Sequence, residues 1–197
     1  MKKSTVTLLV VVGILVVLVG WIVGAYNGLV TLDEETNDKW AKVESAYQRR
    51  GDLIPNLVNT VKGYADFEKE TLTGVIEARS KATGITLNAN DLSPETIANF
   101  QAAQSELSGA LSRLMVTVER YPDLKANQNF LSLQSQLEST ENRIKIERDR
   151  FNTSIKNFNS TIRKFPKNII ASGFGFEKKV YFEADSGAEN APETIYE

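Results

Sequence analysis

The residues best suited to chemistry lie in one run, Gln48-Arg49-Arg50-Gly51-Asp52-Leu53-Ile54-Pro55-Asn56. Two guanidiniums beside a Gly-Asp-Pro break can grip a carboxylate or a phosphate. They can equally pair inside the protein with acids further along, such as Glu141, next to Asn142, or Glu147. Internal pairing is the stronger reading. The Phe151-Asn152 and Phe158-Asn159 pairs invite the same interpretation, because polar groups along a helical seam fix its register.

Catalysis has little to work with. The chain contains no histidine, the commonest general base and metal ligand, and no cysteine, the usual thiol nucleophile and zinc ligand. No serine stands in a G-x-S-x-G setting, and no glycine-rich phosphate loop occurs. Glu34-Glu35 is a carboxylate pair, but 25 acids in one chain produce such pairs by chance. A carboxylate di-iron site in a helical bundle would need Glu-x-x-His. The sequence therefore predicts no enzyme, no metal and no cofactor. With 23 bases against 25 acids, net charge −2, nucleic acid is not an expected partner.

What must position the Arg49–Arg50 run begins at the N-terminus. From Val6 to Tyr26 only Thr7 is neither apolar, glycine nor aromatic, and no charge occurs between Lys3 and Asp33. A helix of this length spans ~31 Å, enough to cross a bilayer core. Residues 6–26 read as a transmembrane helix after a short N-terminus, residues 1–5. A cleaved leader is the alternative, with Val23-Gly24-Ala25 as its cleavage site, but the apolar run exceeds the ~7–15 residues usual there. Lys2 and Lys3 before the span, and Asp33, Glu34, Glu35 and Asp38 after it, place the N-terminus in the cytoplasm and the remainder on the periplasmic or extracellular side. Gly20, Gly24 and Gly28 share one helical face, a spacing that lets spans pack closely and points to a homo-oligomer. Frequent glycine in membrane spans is the plainer account.

Beyond the span, Leu29, Leu32, Thr36, Trp40, Val43 and Tyr47 form an amphipathic stripe with no breaker before it. Gly51-Asp52 predicts a helix end and a new N-cap, with Pro55 in the next first turn; a kinked continuous helix is the alternative. The second helix is expected to reach Ala82, and TGITLNANDL to form a loop. Ser93-Pro94 starts a third helix, in which Gly109 marks close packing. A fourth is expected from Asn127 to Phe165, with Phe130, Leu137, Ile144, Phe151, Phe158 and Phe165 seven apart and a polar layer at Thr140 and Glu147. The expected fold is all-α: a transmembrane helix continuing into an antiparallel up-down four-helix bundle, residues 27–166. An even helix count returns the tail, residues 167–182, to the membrane end. There Phe174, Phe176, Lys178 and Lys179 would touch the interface, or the aromatics would cap the bundle's open end. Residues 183–197, with five acids and no base, read as disordered.

Three runs carry a family resemblance: QRRGDLIPNLVNTVKGYADFEKETL (48–72), YPDLKANQNFLSLQSQLESTENRI (121–144) and RDRFNTSIKNFNSTIRKFP (148–166). With FGF at 174–176 and YFE at 181–183, they resemble the LemA family from Tyr26 to Glu183. Phe67 departs from it, standing where the family often has histidine. The resemblance implies a single-pass bacterial inner-membrane protein with a helical bundle outside the membrane. It brings no enzymatic activity. Family members are associated with cell envelopes, sometimes beside a membrane metalloprotease, and a relative acts in magnetosome membranes. The expected function is a self-associating scaffold that organises or remodels membrane. The alternative is an adaptor or sensor that binds a membrane protease or envelope ligand through Arg49 and Arg50.

Overall fold

The computed structural model describes residues 3–64, 67–87 and 92–182. Among these residues the chain is helical, with no strand: α1 (Lys3–Lys62), α2 (Lys69–Gly84), α3 (Pro94–Val118), α4 (Pro122–Lys125), α5 (Gln128–Arg163) and α6 (Lys167–Gly173). The acidic 183–197 segment and part of the expected 83–92 loop lie outside the described residues.

Helix α1 is one uninterrupted rod of 60 residues, roughly 90 Å long. Residues 4–21 are all exposed, and by length and composition this helix can cross a membrane. From Ala25 onward it packs along α5, which runs antiparallel to it. Arg50 meets Glu141, Trp40 meets Phe151, and Leu29 shares a cluster with Phe158 and Ile162. Helix α2 folds back on α1, and α3 pairs antiparallel with α2 through Lys81–Glu106 and Arg120–Glu68, both 2.7 Å.

Three apolar clusters stack along the α1–α5 pair. The one furthest from the N-terminal run joins α1, α2, α3, α4 and α5 around Ile54, Leu57, Val75, Leu114 and Phe130. The middle one gathers Trp40, Phe100, Phe151 and Phe182. The third, nearest the apolar run, holds Ala25, Leu29, Phe158, Ile162, Ile170 and Ala171. Helix α5 is rich in Asn, Ser and Thr, poor helix formers by a few tenths of a kcal/mol each. Burying Phe151, Ile155 and Phe158 contributes ~1.5–3 kcal/mol apiece, which decides the matter for helix.

The predicted break at Gly51-Asp52 is absent; the chain reverses between Gly63 and Glu68 instead. Pro55 has no N–H to give the carbonyl of Gly51, four residues back. That carbonyl accepts from Arg79 Nε of α2 at 2.8 Å, so the helix crosses the proline with the acceptor satisfied. Gly51 is used for proximity: a Cβ there would lie 3.0 Å from Thr83 Cγ2. Asp52 is therefore an exposed mid-helix residue and caps nothing. Phe67, buried against Tyr121, fixes the actual reversal. Gly109 marks no close helix contact, since a Cβ there would meet only Arg113 Nη1, at 3.9 Å. Phe165 leaves the seam and is 80 % exposed, because α5 ends before the Phe165–Pro166 step. Ser93 caps α3 as its sequence predicts, accepting from the Thr96 amide, with Pro94 in the first turn.

Candidate functional site

The Arg49–Arg50 pair is split by the helix that carries it. Arg50 points into the protein and is 1 % exposed. Its Nη1 donates to Glu141 at 2.6 Å and Ser108 at 2.8 Å, and its Nη2 donates to the side chain and carbonyl of Gln104. Its Nε has no acceptor among the described residues. Gln104 passes the network on to the Ala82 carbonyl. One side chain thus ties α1 to α3 and α5, and through Gln104 to α2. With its charge already met by Glu141, Arg50 is unsuited to holding a separate anion.

Arg49 points outward. It lines a groove of about 670 Å³ between α1 and α5 with Lys42, Asn142, Arg143 and the exposed Ile146. No acid lines this groove, and Arg49 makes no hydrogen bond or ion pair among the described residues. Lys42 hydrogen-bonds Asp38 at 2.8 Å and so holds that carboxyl below its ordinary range. On α2, the hydrogen bond to Glu106 raises the Lys81 ammonium above its ordinary range. Arg143 and Arg150 both donate to Glu147, whose side chain is fully buried in the seam. Gln48 and Asp52 line a separate cavity of about 310 Å³ with Trp40. Pro55 is exposed, and Asn56 gives its carbonyl to Thr60.

The end nearest the apolar run is completed by the C-terminal segment. Gly175, at φ +76°, takes the left-handed conformation that ends α6, and the Phe176 amide returns to the Ala171 carbonyl. Residues 176–182 then run extended along α5 as a strap. Asn159 accepts from the Lys179 amide at 2.9 Å and donates to the Lys179 carbonyl at 2.8 Å. Asn152 does the same for Phe182, at 2.9 and 3.0 Å. Seven helical residues advance ~10.5 Å and three extended residues ~10 Å, so the two amides read every third peptide unit in register. Phe182 stacks on Trp40 at 5.6 Å beneath Arg148.

Of the four tail residues predicted to lie together, two face inward. Phe176 packs on Tyr26 and Phe158. Lys179 pairs with Asp33 at 2.8 Å and lies over the Phe158 ring. Phe174, 59 % exposed, touches Tyr26 at 4.8 Å, and Lys178 is exposed. A Cβ at Gly20, Gly24 or Gly28 would meet nothing within 4 Å, so that face of α1 is open. Among the described residues no cluster of three acids could hold a metal. Sequence reasoning missed Arg79, which no local pattern indicates, and the target of the asparagines, although the paired Phe-Asn steps seven apart were visible.

Three relatives among curated proteins align with most of the chain. Magnetosome protein MamQ 2 of Paramagnetospirillum magneticum is 27% identical over 80% of this chain, and magnetosome protein MamQ of Magnetospirillum gryphiswaldense is 29% identical over 80%. Protein LemA of Metamycoplasma hominis is 26% identical over 82% of this chain and 70% of its own length. The alignments cover 64% of the length of each of the two magnetosome proteins. The family model for LemA matches residues 39–196, which takes in Arg49 and Arg50, the α2–α3 pair and both asparagine clips, and the chain belongs to the LemA family.

Proposed function

We propose that this protein is a single-pass, non-catalytic envelope scaffold that self-associates and organises or remodels a bacterial inner membrane. The observation that carries this reading is the unbroken α1. The helix that can cross the membrane is also the spine of the folded domain. Any rotation or pairing of the span is transmitted to the domain without a hinge. In this reading α1, α2, α3 and α5 form an up-down-up-down four-helix bundle on the periplasmic or extracellular side. The open Gly20/Gly24/Gly28 face joins copies within the bilayer. Phe174 and Lys178 lie beside the membrane, while Phe176 and Lys179 close the end of the domain.

Mass photometry of the full-length protein in lipid nanodiscs tests it. Discrete oligomers are expected, and Gly24→Ile should lower their mass. A monomer at every concentration removes the scaffold.

One observation favours an adaptor as second reading: the acid-free groove around Arg49. It suits an acidic segment of a partner such as a membrane metalloprotease. Arg49→Glu should abolish capture of that partner and leave the oligomer intact. Arg50 has no part in it, being committed to Glu141.

A further inference from the structure

We infer that the α5–α6 corner is a second membrane contact, seating Phe165, Ile169 and Phe174 in the interfacial layer of the leaflet from which α1 emerges. The inference rests on the reading of residues 6–26 as a span.

The level of the corner follows from α1. Ile162, near the end of α5, shares a cluster with Ala25 and Leu29 of α1. Helix α5 descends toward the apolar run, and the register in which Arg50 meets Glu141 and Trp40 meets Phe151 puts Phe165 at about the height of Tyr26. Ile170 and Ala171 turn the buried side of α6 onto Ala25 and Leu29, and Phe174 touches Tyr26. The whole corner therefore lies within one or two turns of Tyr26, ~6–10 Å along the axis. The headgroup layer on each side of the hydrocarbon core is ~5–8 Å thick. A corner at this height cannot avoid that layer when α1 spans the bilayer.

The composition suits the place. Phe165 is 80 %, Ile169 61 % and Phe174 59 % exposed, within ten residues of one another. Elsewhere on the folded domain the exposed large apolar residues, such as Val116 and Leu131, are scattered singly. From Arg163 to Phe176 the corner carries Arg163, Lys164 and Lys167 and no acid. Aromatic and aliphatic side chains flanked by long cationic ones match an apolar boundary beneath anionic headgroups. A corner held this way would fix the domain's tilt at a second point, where a lone span would let it rotate.

The chain has no cysteine, so single labels report cleanly. The full-length protein would carry one nitroxide at V16C, F165C, I169C, F174C or V116C, in liposomes of phosphatidylcholine with one quarter phosphatidylglycerol. Accessibility to oxygen and to a water-soluble nickel chelate would then be compared. The three corner sites should fall between the two references, with nickel access relative to oxygen well below that at V116C and above that at V16C. Corner sites as open to nickel as V116C, with V16C in lipid, would overturn the corner contact and leave the span standing. A water-exposed V16C would overturn both. Corner labels shielded from both reagents would mean that another protein surface occupies the corner, which also overturns the lipid contact. Lys164→Glu with Lys167→Glu should move the corner labels toward water in these liposomes and much less in pure phosphatidylcholine.

Discussion

The two ends of the folded domain are closed by different means. At the end far from the apolar run, α2 and α3 cover the α1–α5 pair, and a buried guanidinium links three helices directly. At the near end, α6 and an extended strap do the covering, held by two asparagines that bind only backbone. The first closure combines a large apolar cluster with one buried side chain that bonds to two other helices at once. The second rests on strap peptide groups held in register, with Phe176, Lys179 and Phe182 as the strap side chains that pack inward. The far end should therefore fail as a whole and the near end locally.

Arg50 gives the largest expected effect. Replacing it with methionine keeps the volume and leaves Gln104 without a donor and Glu141 without its cation. Breaking a buried ion pair costs ~3–5 kcal/mol. Glu141 is 43 % exposed and can recover water, so the loss should fall near the lower figure. Urea unfolding of the full-length protein in detergent should show one transition at a lower midpoint. A stability within ~1 kcal/mol of the parent would mean that the far end is held by apolar packing alone.

Asn152→Leu and Asn159→Leu test the other end. Each removes a pair of hydrogen bonds to the strap, ~1–2 kcal/mol in total, and the strap can rehydrate on release. Hydrogen exchange should lose protection at the Lys179 and Phe182 amides while amides around Leu114 keep theirs. Equal loss at both places would show a single cooperative unit and erase the distinction between the ends.

The crossing of Pro55 belongs to the far end and is a smaller test. Arg79→Ala strands the Gly51 carbonyl and should cost ~1–2 kcal/mol. Pro55→Ala restores the helical donor. In that background Arg79→Ala should cost about 1 kcal/mol less, a coupling that a double-mutant cycle measures. No coupling would mean that Arg79 acts only by packing.

These sites also show where the sequence was legible. The apolar run, the Ser93 cap and the seven-residue spacing of α5 are local signals, and the structure contains all three. Of the two readings of Gly51–Pro55 the continuous helix holds: Gly and Pro are local signals of interruption, whereas what cancels them is a side chain 28 residues away in α2. Phe165 continued the spacing arithmetically, yet the proline after it had already ended the helix. Asn152 and Asn159 announced polar partners, but a clip that binds backbone leaves no mark on the strap it holds. Arg49 and Arg50, adjacent in sequence, had to diverge by ~100° on one helix, and nothing local says which one faces inward.

Gly51 offers the finest test of how closely α1 and α2 approach. Within an exposed helix, Gly→Ala gains ~1 kcal/mol. Here the added methyl would lie 3.0 Å from Thr83 Cγ2, a contact that α2 can relieve only by shifting. The two effects oppose each other and are similar in size, so Gly51→Ala alone should change stability by less than ~0.5 kcal/mol. Thr83→Ser removes the obstructing methyl and keeps the hydroxyl that donates to the Arg79 carbonyl. In the Thr83→Ser background Gly51→Ala should recover most of its ~1 kcal/mol, read as a higher urea midpoint. If Gly51→Ala gains the full amount with Thr83 in place, the helices at the far end have room to spare.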